Sequence, residues 1–217
     1  SPTMSEMIVL DPAPEEWLSD ERKNRLVSEL GSSAPILQEA GVLDTVLNHW
    51  IRRELAGGAV DSEACLHWSR TQWGHRLESL FLQQKQDLDQ VSCKLLRVAH
   101  PGLAMEIYHR LLNQEASFEQ LSMQFGVGPE RFHGGVLKLQ YVKDLPQGLG
   151  KLLAHLDGGE LMKPLKFANK FVVIQLIQRV SAVFDDSTKQ LLLSKELQNW
   201  IQGMSGCMKA QLGLPNA

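Results

Sequence analysis

The stretch from Gly128 to Val180 constrains this chain more than any other. Its last part, Phe171-Val-Val-Ile-Gln-Leu-Ile177, is an aromatic and β-branched run and the clearest strand in the sequence. Earlier, Gly134-Gly135 opens a short apolar run from Val136 to Leu139. Leu145, Leu149, Leu152, Leu153 and Leu156 then recur at three- and four-residue spacings, which predicts a helical piece. Gly158-Gly159-Glu160 turns the chain and Pro164 stiffens it before the final strand.

Upstream of this stretch the pattern is helical. Leu43, Val46, Leu47, Trp50, Ile51 and Leu55 form one apolar stripe, and Gly57-Gly58 ends it. Trp17, Leu18, Leu26, Val27 and Leu30 mark an earlier helix, and Asp61 is placed to cap a later one carrying Ala64, Cys65 and Trp68. A further helix holds Leu77, Leu80, Phe81 and Leu88. Strand character begins at Ser92, with Cys93 to Val98 as a six-residue run before the turn His100-Pro101-Gly102. Two helices follow, Leu103 to Leu112 and a short one capped by Ser117. The chain returns to helical periodicity near Asp185, with Leu193, Leu197, Trp200 and Ile201 on one side, and the tail from Gly203 is expected to fray. All five tryptophans lie outside the strand-bearing segment, which fits a helical domain completed by the C-terminal helix.

Gly134-Gly135-x-Leu137 and Leu156-x-x-Gly159-Glu160-x-x-x-Pro164-Leu165, with the strand, helix, helix order of Ser92 to Gly126 before them, resemble the parvulin family of peptidyl-prolyl isomerases over about 90 residues. The resemblance implies an α+β protein: a parvulin-like domain, a four-stranded antiparallel sheet with surrounding helices, plus an all-α domain of N-terminal helices and the C-terminal helix. The expected divisions are a loose leader at 1–14, a helical chaperone-like region at 15–90, the parvulin-like domain at 91–180, and a returning helix with tail at 181–217. That arrangement is similar to the SurA and PrsA foldases. The Trp-rich N-terminal region and the segment from Leu103 to Gly135 also look like cyanobacterial parvulin-like proteins associated with ABC-type export.

A prolyl bond turns slowly because its amide has partial double-bond character, with a barrier of roughly 20 kcal/mol. The family holds the proline ring in an apolar pocket and sets a polar cluster around the rotating bond. The resemblance puts the pocket on Leu137, Leu145 and Leu149, with Met123, Phe167 and Phe171 as neighbours. It puts the first-strand histidine on Lys94, the last-strand histidine on Val172, and the loop Cys or Asp near Val127 or Gly128. The scaffold and pocket are kept and the polar cluster is largely replaced. His133, beside the glycine pair, is the substitute candidate, against the plainer reading of a solvent-facing loop histidine. The connection Val98 to Gly102 has no Lys or Arg, so phosphopeptide selectivity is not implied.

Composition narrows the field further. An apolar content of 43% with 22% charge suits a globular protein, and no run approaches the length of a membrane helix. Residues 91–180 hold 11 Lys plus Arg against 7 Asp plus Glu, too small an excess to call for nucleic acid. Cys65, Cys93 and Cys207 are odd in number and far apart, which points to reduced thiols and a cytoplasmic setting. Cys65-x-His67 lacks a second ligand pair, so neither metal nor cofactor is expected. Three readings stand: a foldase binding extended proline-containing or leader peptides with weak or absent isomerase activity, an active isomerase, and a structural scaffold in a peptide secretion or maturation complex. An ABC-type exporter is the further partner that the resemblance implies.

Overall fold

Local signals set the element boundaries. The computed structural model describes residues 13–214. The expected leader therefore lies outside the described residues except at Ala13 and Pro14, and Pro14 already opens a helix. In order the elements are α1 (Pro14–Trp17), α2 (Asp20–Leu30), α3 (Ala34–Glu39), α4 (Leu43–Leu55), α5 (Ser62–Trp73), α6 (Leu77–Leu88), β1 (Gln90–Val98), α7 (Pro101–Leu112), α8 (Phe118–Phe125), β2 (Val136–Tyr141), α9 (Leu149–Leu153), β3 (Leu161–Phe167), β4 (Lys170–Val180) and α10 (Asp186–Gln211). The fold is α+β with one four-stranded antiparallel sheet in the order β2-β1-β4-β3.

The described residues divide into two compact units. Those up to Phe81 together with those from Phe184 onward form one, and Leu82–Val183 form the other. In the first unit α10 packs on α4 and α5. Its core is aromatic: Trp200 meets Trp68 at 4.8 Å and Trp17 edge-on at 5.2 Å, and Trp17 meets Trp50 at 6.5 Å. Edge-to-face contact suits the ring quadrupole and adds directionality to the burial. The expected fraying from Gly203 is corrected here, because α10 runs on to Gln211. Met204 and Met208 continue its buried stripe, and their burial outweighs the cost of two helical glycines. Asp185 caps this helix by accepting from the Thr188 N–H, which holds its carboxyl below the usual carboxylate range.

In the second unit side chains alternate across the sheet with period two. Val91, Cys93 and Leu95 of β1 join Val172, Ile174 and Leu176 of β4 on one face, which α9 covers. Leu96 and Val98 of β1 join Val173 on the other face, covered by α7 and α8. The long helix expected through Leu145 to Leu156 shrinks to α9. Pro146 forces Leu145 into extended backbone, so the helix begins only after it. Arg179 of β4 donates to the Leu153 carbonyl at 2.7 Å and pairs with Asp89 at 3.3 Å, tying the end of α9 to the sheet. Pro164 sits in β3, an edge strand with a bulge between Met162 and Leu165, where a missing N–H costs no ladder bond.

Candidate peptide site

The turn before β2 is fixed by sterics. Gly134 and Gly135 both take positive φ, 63° and 80°. A Cβ at Gly135 would stand 2.8 Å from the Phe118 ring and 2.9 Å from the Leu95 carbonyl oxygen. Only glycine lets β2 enter beside β1 here, and the Leu95 N–H then donates to the Gly135 carbonyl at 2.8 Å. Leu137 consequently pairs with Cys93 and faces the α9 side of the sheet.

Four of the expected pocket residues come together. Leu145, Leu149, Leu137 and Phe167 belong to one apolar cluster on that face. Leu145 and Leu149 are buried, at 8% and 0% exposure, and form the floor. Leu137, Leu165 and Phe167 are half-buried and form the accessible part. Phe167 lies against Gly148, where a Cβ would meet its ring at 3.3 Å. The other two expected neighbours do not join them. Phe171 packs on the α7 and α8 face, one residue out of phase with Val172, and Met123 is 57% exposed on α8.

The expected polar positions separate as well. Val172 is fully buried on the α9 face. Lys94 points to the opposite face, with its ammonium 6.0 Å from the Phe118 ring of α8. The two positions assigned to the family's histidines are therefore not neighbours across the sheet. By strand alternation the residues of β1 that share the Val172 face are Cys93, Leu95 and Arg97. Burial pushes the Cys93 thiol up to about 11, so it stays protonated at neutral pH and acts as an apolar filler. His133 ends the 3-10 turn Pro129–His133 and is exposed.

Two residues escaped the sequence reading. Arg97 is the direct partner of Val172 in the β1–β4 ladder. Its Nε stands 3.0 Å from Oε1 of Glu130, whose side chain is only 3% exposed. The contact is an ion pair without the angle of a hydrogen bond, and both atoms are otherwise unpartnered. Gly128, to which the loop Cys or Asp was assigned, carries no side chain, and its role is spatial. A Cβ there would lie 2.1 Å from the same Oε1, so glycine makes room for the Glu130 carboxylate. Glu130 was visible as an acid two residues after Gly128 and four before Gly134. Its burial was not, since charged residues are rarely buried without a partner.

No group of three or more His, Cys, Asp or Glu side chains suited to a metal ion occurs among the described residues. Nor does any described helix have the length and apolar character to cross a membrane. A surface depression of about 690 Å³ in this unit is lined by Asp89, Lys143, Leu145, Lys151, His155 and Arg179 among others, and shares Val142 and Leu145 with the cluster.

No family model and no curated protein matches the sequence. Solved structures similar to it include the PrsA peptidylprolyl isomerase of Bacillus anthracis, at 13% identity over 95% of this chain and 92% of that one, with a TM-score of 0.49. A SurA-like chaperone of Campylobacter jejuni matches at 16% identity over 87% and 74%, with a TM-score of 0.41. A PpiC-type peptidyl-prolyl cis-trans isomerase domain matches at 19% identity over 46% of this chain and 99% of its own length, with a TM-score of 0.39. The chain is thus similar in structure to parvulin-type isomerase domains and to PrsA- and SurA-like foldases, at low identity throughout.

Proposed function

We propose that this chain is a foldase of parvulin type that holds extended, proline-containing peptides on the α9 face of its sheet and isomerises them little. The observation that carries the reading is what surrounds Val172. The face offers half-buried Leu137, Leu165 and Phe167 over a floor of Leu145 and Leu149. Across the ladder from Val172 stands Arg97, already paired with Glu130. A proline ring gains from the apolar surface. An amide that must be favoured in a twisted geometry meets apolar Val172 where the resemblance puts the family's last-strand histidine, with Arg97 across the ladder. Affinity is modest on this reading, because the peptide must be ordered to bind.

The sequence resemblance extends the proposal to leader peptides as clients and to an ABC-type exporter as partner. Three free cysteines support a reducing, cytoplasmic setting.

The test is a protease-free isomerase assay on a panel of X-Pro peptides, run beside an NMR titration. Amide shifts at Leu137 and Phe167 should move on titration while isomerisation stays close to the uncatalysed rate. A rate comparable with an ordinary parvulin would replace this reading with the enzyme reading. A titration that moves no resonance would remove peptide binding altogether.

A further inference from the structure

We propose that Arg97, held in place by Glu130, is the anchor for the carbonyl oxygen of the residue that precedes proline in a bound peptide. The inference rests on the peptide-binding reading above. An X-Pro amide has no N–H, so its carbonyl is the one polar handle that it presents. Arg97 sits where that handle would arrive: opposite Val172 in the ladder, on the face of Leu137 and Phe167. It meets Glu130 through Nε, which is buried, while the side chain as a whole is 28% exposed. The guanidinium fork places its two terminal nitrogens beyond Nε, so the donors left for a ligand are those at the accessible end.

The pair itself calls for a reason. A carboxylate at 3% exposure is costly to desolvate, and this one is offset by an ion pair that lacks hydrogen-bond geometry. Gly128 is kept free of a side chain to admit it. What the arrangement yields is a guanidinium with its charge balanced from behind and its orientation fixed. A balanced cation suits a neutral carbonyl better than a carboxylate. The same contact explains why binding need not bring catalysis. A donor on the carbonyl oxygen favours the resonance form with a carbon–nitrogen double bond, and so reinforces the planar amide. Arg97 therefore grips the planar peptide and does not help it twist.

The experiment uses the full chain and the peptide acetyl-Ala-Ala-Pro-Ala-amide carrying ¹³C at the carbonyl before proline. In wild type that carbonyl resonance should shift on binding. Arg97→Ala should weaken binding about tenfold, the scale of one lost charge-assisted hydrogen bond, and abolish the carbonyl shift. Isomerisation per bound peptide should not fall. Because Arg97→Ala leaves Glu130 without its counter-charge, the double variant Arg97→Ala/Glu130→Gln repeats the measurement with no orphaned charge. Glu130→Gln alone should leave the anchor in place but unbalanced, and so raise the relative affinity for acetyl-Ala-Glu-Pro-Ala-amide. A merely structural Glu130 would not change that charge preference. Binding and carbonyl shift that survive in the folded double variant would overturn the proposal and leave the peptide-binding reading standing. Absence of any wild-type binding would overturn both.

Discussion

The two faces of the sheet share their strands but differ in what covers them. One carries α7 and α8, of 12 and 8 residues, the second closed by a capping box in which Ser117 and Gln120 satisfy each other's backbone N–H groups. The other carries α9, five residues with no side-chain cap, held instead by its leucines and by Arg179 at its end. On the first face the strand cation, Lys94, lies over an aromatic ring; on the second, Arg97 lies against a buried carboxylate. Two cations three residues apart on one strand thus serve different surfaces. The Ser117–Gln120 capping box adds a local signal to the packing of α8, which α9 lacks. A five-residue helix is too short to persist without its packing, so its face is only as ordered as the cluster beneath it.

The largest effect should come from breaking each cluster at its centre. Leu149 and Ile107 are both fully buried, one on each face. Truncation of either to alanine should cost about 2–5 kcal/mol. The consequences for binding should diverge. Leu149→Ala should release α9 and with it the peptide affinity. Ile107→Ala should lower the denaturation midpoint but leave the dissociation constant of the folded protein unchanged. Equal losses of affinity in urea titrations matched by NMR binding curves would show that the two faces do not act separately.

The fold was legible because its signals are local. Phe171 to Ile177 lies wholly inside β4, Ser117 and Asp61 cap the helices that they announce, and the glycines at 134 and 135 stand where side chains would strike Glu119 and Phe118. The site was less legible because it depends on phase. Counting along a motif placed the first histidine position on Lys94, and a shift of one residue in a strand moves a side chain to the opposite face. Arg97 shows the same point from the other side. It reads as an ordinary strand-end cation until the ladder sets it across from Val172. The burial of Glu130 gave no sequence signal, since it follows from the turn Pro129–His133 bringing its carboxylate against Gly128. The shortening of α9 was readable in Pro146, whose effect on Leu145 outweighs the leucine periodicity.

A second, smaller effect is confined to the α9 face and appears only at high pH. Cys93 is fully buried there, and its thiol is pushed up to about 11 by that burial. Its folded pKa lies above the unfolded one, so the folded chain keeps a proton that the unfolded chain loses first. Its contribution is therefore fully present below about pH 8.5, the ordinary thiol value. It is lost as pH rises from there through about 11. The loss amounts to about 3 kcal/mol at the far end of that window, at 1.36 kcal/mol per unit. Urea unfolding of wild type against Cys93→Ala between pH 7 and 10.5 reads it directly. Wild type should lose stability more steeply above pH 9 than the variant, and parallel curves would mean that Cys93 is hydrated.

The smallest effect expected is the most pointed test of the two faces. Arg97→His with Val172→His places two imidazoles on residues directly paired in the β1–β4 ladder. Side chains so paired have Cβ atoms about 4.5–5.5 Å apart and can act on one bound amide. Lys94→His with Val172→His follows the count along the motif instead, and puts the imidazoles on opposite faces. The first pair should raise isomerisation of a bound X-Pro peptide about tenfold, the low end of what positioned polar groups contribute. It should also weaken binding, because the anchor at Arg97 is gone. The second pair should leave the rate where it was. Val172 is fully buried, and a histidine there costs about 1–3 kcal/mol unless it finds a partner. Folding must therefore be matched between the two double variants before rates are compared. The directly paired variant gives each imidazole a partner across the ladder but takes the Arg97 charge away from the buried Glu130, whereas the Lys94 pair keeps that ion pair and so should be the more stable of the two. A gain from the Lys94 pair equal to that from the Arg97 pair would mean that both faces reach the peptide, and the division of labour across the sheet would fall.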